Sequence, residues 1–194
     1  MTIFDVASSI ATVGALLAAI WQLRRQVADG RRRDQDRRVE RAIELYEAVV
    51  AEGQTHEAFH RLSLLLRRIG SEKYGKTTWK ILSDKDIEAG GELDPRNTNR
   101  EQAYADLYAI LWFFERCKMS LRREIVSEDI LMETLGFHFW WWGELLRDLK
   151  GPKSVHAVHD LAERSRMWAS REGLIQDWIV RCADDFNGSG AIGH

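Results

Sequence analysis

His56 and His60 stand one helical turn apart with a glutamate between them. The string from His56 to His60, HEAFH, fits the HExxH pattern in which two imidazoles grip zinc while the glutamate activates a water. The position after the second histidine, ordinarily uncharged in that pattern, is Arg61. No downstream histidine takes the extended metzincin spacing, so a third ligand would have to come from a carboxylate such as Glu72 or Glu88. The surrounding residues read as an ordinary amphipathic helix. His56 and His60 are therefore expected at the solvent edge of a bundle rather than on a metal, and no cofactor is expected.

His156 and His159 lie three apart on another predicted helix, and His138 lies on a third. No Glu-x-x-His pair recurs on two helices, as a di-iron bundle requires. No arginine is followed by histidine at the short spacing used by helical ribonucleases of the HEPN class, which counts against nuclease chemistry. Glu115, inside the aromatic run Trp112 to Arg116, is expected to be partly buried and is explained as well by an ion pair as by catalysis. No catalytic constellation survives, and the balance falls on the non-enzymatic side.

The second unusual string is Phe137 to Trp142, FHFWWW, in a chain with eight tryptophans. Three successive helical residues sweep about 200°, so Trp140, Trp141 and Trp142 cannot all point into one side of a bundle. At least one is expected at a subunit contact or a membrane surface. The alternative is an elongated core with one half-exposed indole.

These residues must be positioned by helices. Only Pro95 and Pro152 interrupt 194 residues rich in good helix formers, so the fold class is all-α. The expected layout is a transmembrane helix followed by an antiparallel bundle with one long insertion. Residues 1–25 read as the membrane anchor: Val6 to Leu23 carries no charge, and the apolar stretch from Ile3 would extend roughly 31 Å as a helix. It ends in Trp21, Gln22, Leu23 and arginines, unlike a cleaved signal peptide. Ala7, Ala11, Ala15 and Ala19 recur at four-residue spacing, a small-residue stripe along which two membrane helices can associate. Asp5, Ser8, Ser9 and Thr12 share a weakly polar face that an oligomer could turn inward toward neighbours, water or a pore; in a monomer Asp5 would simply sit at the outer headgroups, the reading that needs less.

Residues 26–38 read as a basic stalk. Arg24, Arg25, Arg31, Arg32 and Arg33 would face lipid headgroups, and their position after the anchor predicts the N-terminus outside and the C-terminal domain inside. Interleaved Asp34, Asp36 and Glu40 weigh against nucleic acid as a partner. Residues 39–186 form the bundle, and 187–194 a Gly-rich tail. Helices are expected over about 39–52, with Val39, Ala42, Ile43, Tyr46, Val49 and Val50 inward, and over 54–69, 100–119, 127–149, 152–172 and 174–186. The breaker-rich run from Ser71 to Asn99 is the insertion, with a short helix opening at Ser83 and room for a protein partner. Cys117 and Cys182 suit a reducing compartment rather than a disulfide framework.

The order of parts, with Arg41 to Tyr46 (RAIELY), Leu111 to Glu115 (LWFFE), Phe137 to Trp142 and Leu145 to Arg147 (LLR), resembles the DUF4760-like group of bacterial membrane-anchored helical proteins. That resemblance implies an anchored helical domain and no catalytic residues. The layout is more loosely similar to the membrane accessory proteins of type VI CRISPR systems. It implies self-association, a pore and a role in antiviral defence, without the nuclease motif.

Overall fold

The computed structural model describes residues 3–74, 79–96 and 101–186, and the side-chain surroundings of 21–74, 79–96 and 101–182. The chain is all-helical there: α1 Ile3–Val50, α2 Gln54–Tyr74, α3 Asp84–Ile87, α4 Glu101–Arg122, α5 Glu128–Leu145, α6 Val155–Arg171 and α7 Ile175–Phe186. Its one β-like feature among these residues is an isolated bridge between Ser83 and Asp148.

The bundle is organised around α5. Leu131, Met132, Leu135, Gly136, Phe139, Trp140, Trp142, Gly143 and Leu145 are all buried, so this helix is covered on most of its circumference, as expected of one apolar nearly all round. It packs against α1 and α6, while α2 packs on α4 and α1, and α4 also reaches α6. The closest approach is at Gly143, where a Cβ would stand 2.3 Å from the Ala162 Cβ. Only glycine permits α5 and α6 to lie that near.

α1 passes unbroken through Gly30, so stalk and bundle share one helix. Its residues 21–37 are exposed, and burial begins at Arg38 and Val39. The buried seam is Ala42, Leu45 and Val49. Ile43, Tyr46 and Val50, expected inward, face out instead, because Leu45 rather than Tyr46 completes the three-four spacing on the α5 side. The Arg38 side chain reaches Glu124 at 3.6 Å, and the Arg38 carbonyl accepts the Ser127 N–H at the start of α5.

The 71–99 connection is pinned wherever it is described. Ser83 caps α3 in a reciprocal capping box with Asp86, as the sequence predicts. The Asp84 carboxylate accepts the Lys150 and Gly151 N–H groups at 2.8 and 2.7 Å, which lowers its pKa. Leu82 N–H donates to the Leu145 carbonyl at 2.8 Å. These bonds explain two corrected boundaries. α5 stops at Leu145 instead of reaching Leu149, because the insertion satisfies its last carbonyl and the following N–H groups. Pro152 then lies buried in a turn and α6 begins only at Val155.

Among the described residues no helix is long and apolar enough to cross a membrane. The side chains of the anchor, including Asp5, Ala7, Ser8, Ser9, Ala11, Thr12, Ala15 and Ala19, lie outside the described residues, as does the tail 187–194.

Candidate functional site

The two unusual strings meet. His56, Phe59, His60 and Ser63 of α2 face His138, Trp141 and Trp142 of α5 across a pocket of about 440 Å³, closed at its sides by Val49 and Val50 of α1 and by Trp79 of the insertion. That volume lies within the roughly 300–1,000 Å³ of small-molecule sites. The i,i+4 spacing on each helix puts His56 beside His60 and His138 beside Trp142.

The α2 wall is satisfied by its own fold. The His56 ring nitrogen Nδ1 lies 2.7 Å from the Val49 carbonyl; a carbonyl can only accept, so Nδ1 carries the proton and, in the neutral ring, Nε2 is the acceptor. His60 is exposed, its ring parallel to that of His56 at 6.2 Å. Glu57, the would-be water activator, is bound to Arg61 at 2.8 Å. Arg61 in turn clamps the buried Asp106 of α4 through Nε and Nη2, at 3.0 and 2.7 Å, with Gln102 as a further donor at 2.9 Å. Hydrogen bonds to Asp106 and then Glu57 push the Arg61 pKa further up. The charged residue that departs from the zinc pattern is thus the tie between α2 and α4. Among the described residues no three histidine, cysteine or acidic side chains are placed to hold a metal.

The α5 wall is different. Trp142 is 1% exposed, in edge contact with Phe59 at 5.2 Å, and its Nε1–H has no acceptor among the described residues. His138 is half-buried, 4.7 Å from the Phe59 ring, with its Nε2 sealed from solvent and without a partner among the described residues. Desolvation pushes its pKa down to about 4, so the ring is neutral near pH 7. These two orphaned groups sit one turn apart on α5.

The tryptophan triplet takes the alternative arrangement, an elongated core with one half-exposed indole. Trp140 and Trp142 are buried and Trp141 is half-buried. Trp140 stacks on Trp178 of α7 at 5.7 Å and bonds the Glu144 side chain, whose pKa burial raises. Trp141 packs edge-on to Trp79 at 4.7 Å. Partners from three other segments therefore cover what one neighbouring helix could not. The outward indole of the described bundle is instead Trp112, 66% exposed. It borders a depression of about 460 Å³ on α4, with Thr55, Glu115, Arg116 and Met119, which contains no orphaned polar group.

The other flagged residues do not converge. His156 is exposed, while His159 bonds the Leu146 carbonyl at 3.1 Å. Arg24, Arg25, Arg31, Arg32 and Arg33 are exposed along α1, with the Arg25 guanidinium over the Trp21 ring at 5.4 Å. Cys117 and Cys182 are buried and not in a disulfide with one another, and burial pushes the Cys117 thiol up to about 12. Trp79 was the site residue hardest to foresee, because it sits in a breaker-rich run with no periodicity to mark it. Comparison with known proteins finds no matching family model, no matching curated protein and no matching solved structure.

Proposed function

We propose that this chain is a single-pass, homo-oligomeric membrane protein that acts without enzymatic chemistry, as an effector or accessory factor at the inner face of a bacterial inner membrane. The observation that carries the reading is α1, one uninterrupted helix from Ile3 into the bundle core at Ala42, Leu45 and Val49. In the sequence, the apolar stretch from Ile3 to Leu23, whose side chains up to residue 20 lie outside the described residues, would be long enough for a bilayer core, and the arginines that follow would be on the side that stays inside. From Arg24 to Arg37 the helix rises roughly 20 Å with every residue exposed, a length that would hold the bundle off the headgroups. A continuous helix also couples the two ends mechanically: a shift of the bundle at Val49 would turn or displace the membrane segment. The alanine stripe supports self-association, and the likeness of layout supports a pore in antiviral defence.

The hydrolase alternative is weakened by the Glu57–Arg61 ion pair, which engages the carboxylate that zinc chemistry would use. The tethering test is alkaline carbonate extraction of membranes from cells expressing the full chain. The protein should stay in the pellet and require detergent for release. Full recovery in the carbonate supernatant would overturn the anchor. In detergent, Ala11→Leu together with Ala15→Leu should shift the chain toward monomer, and a wild-type chain that is monomeric at all concentrations would remove self-association.

A further inference from the structure

We infer that a second copy of this chain lies parallel to α1 along its outward seam, so that residues 22–50 of two subunits pair in register as a coiled coil. This deepens the self-association proposed above and rests on it, and it assigns the contact to a surface beyond the membrane segment.

The fold uses only one of the two apolar seams on α1. Ala42, Leu45 and Val49 are buried in the bundle, whereas Val39 is half-buried and Ile43, Tyr46 and Val50 are 42%, 36% and 49% exposed. The second set alternates four- and three-residue steps, the spacing of a coiled-coil seam. An open depression of about 560 Å³ runs beside Asp36, Val39 and Ile43, where side chains of a neighbouring helix can lodge. The register does not stop at the bundle. Counting back by sevens from Ile43 gives Asp36, Asp29 and Gln22, and from Val39 gives Arg32 and Arg25, along one unbroken helix whose residues 21–37 are exposed. A seven-residue repeat sustained over about four heptads is what draws helices into a left-handed supercoil.

Charge identifies the occupant as a copy of the same helix. Along the seam the order is Arg25, Asp29, Arg32, Asp36, and none of the four has an ion-pair partner among the described residues. Alternating sign in successive layers is self-complementary when two such helices lie parallel and in register. The guanidinium groups stand on long stems that leave their own layer, so Arg25 reaches the partner's Asp29 and Arg32 the partner's Asp36. The same register sets the four apolar residues against their own copies, whereas antiparallel pairing would press charged side chains onto them. Glu40 and Glu47 take the flanking position that faces the partner's Gln35 and Ala42, so like charges do not oppose one another there. A foreign basic helix would suit those carboxylates but would meet Arg25 and Arg32 head on. Parallel is also the orientation that anchors in one membrane impose.

The test is cysteine cross-linking of the full chain in isolated membranes, read against position. Asp36→Cys, Ile43→Cys and Tyr46→Cys, oxidised with copper phenanthroline, should give disulfide-linked dimers about tenfold more efficiently than Arg37→Cys, Arg41→Cys and Glu44→Cys, which are exposed on the same helix but off the seam. Arg32→Asp and Asp36→Arg, each added to Ile43→Cys under a different epitope tag, should each lose self-cross-linking and should link to one another when co-expressed. Equal cross-linking on and off the seam, linkage of the seam cysteines to a different protein only, or no recovery on co-expression overturns the inference. Should the seam cysteines fail to link while the wild-type chain stays oligomeric in detergent, this contact falls and self-association remains with the anchor. A wild-type chain that is monomeric at all concentrations removes both.

Discussion

The two walls of the pocket invert their order of promise. α2 carries the sharper motif, yet three of its polar groups have a structural occupation, His56 on Val49, Glu57 on Arg61 and Arg61 on Asp106, and His60 is exposed. α5 carries no motif at all, yet it holds the two polar atoms that the fold leaves sealed and unpartnered. Residue types in a familiar spacing announce what chemistry is possible. Unmet hydrogen-bonding capacity is the costlier feature of the two, because a protein pays for it in every folded molecule.

Mutations can break or sharpen this contrast. The largest effect is expected at Phe59, which the two walls share: it touches Phe113, Phe114, His138 and Trp142. Phe59→Ala should cost about 3–5 kcal/mol in urea unfolding, and a loss under about 1 kcal/mol would mean the walls are not mutually packed.

Next comes acid sensitivity. The folded pKa of His138 is about 4, below the 6.5 of the free side chain, so the unfolded chain binds more protons between those values. Stability contributed by keeping this ring neutral is full above pH 6.5 and falls as the pH drops toward 4, on the order of 2–3 kcal/mol in total. His138→Phe should flatten that stretch of the stability profile. Loss below pH 4 should persist in the variant, because Asp84 and Asp94 are held below their ordinary range, Asp94 at about 2, and release their stabilisation only there. An equally steep slope between pH 6.5 and 4 in wild type and variant would place the titration elsewhere.

At Gly143 the α5 wall has no room to spare. Gly143→Ala should destabilise by about 1–3 kcal/mol by forcing α6 away, readable as a lower melting temperature. The smallest effect belongs to the motif residue: Glu57→Gln removes an exposed ion pair and should change stability by less than about 1 kcal/mol. A larger loss would restore importance to the α2 wall.

The helices themselves were readable along the chain. Ala58, Phe59, Leu62, Leu66 and Ile69 repeat at three and four, and Ser83, Ser127 and Gly53 mark ends, because periodicity and capping are local properties written in adjacent residues. The end of α5 was not readable, since it depends on Leu82 and Asp84, more than sixty residues earlier, arriving at the right carbonyl and N–H groups. Nor was the fate of the tryptophan triplet: an angle of about 200° rules out one neighbour, but it says nothing of how many neighbours there are. α1, α7 and Trp79 supplied them.

The sequence by itself thus determined an all-helical chain, the amphipathic faces of its bundle helices, and an apolar N-terminal segment followed by arginines, because each follows from local spacing and charge. Only the tertiary structure decided that HEAFH and FHFWWW face one another and that Arg61 is a clamp. It alone left Trp142 and His138 without partners. Those outcomes depend on which surfaces meet across long stretches of chain, where burial, and not residue type, sets what a side chain can do.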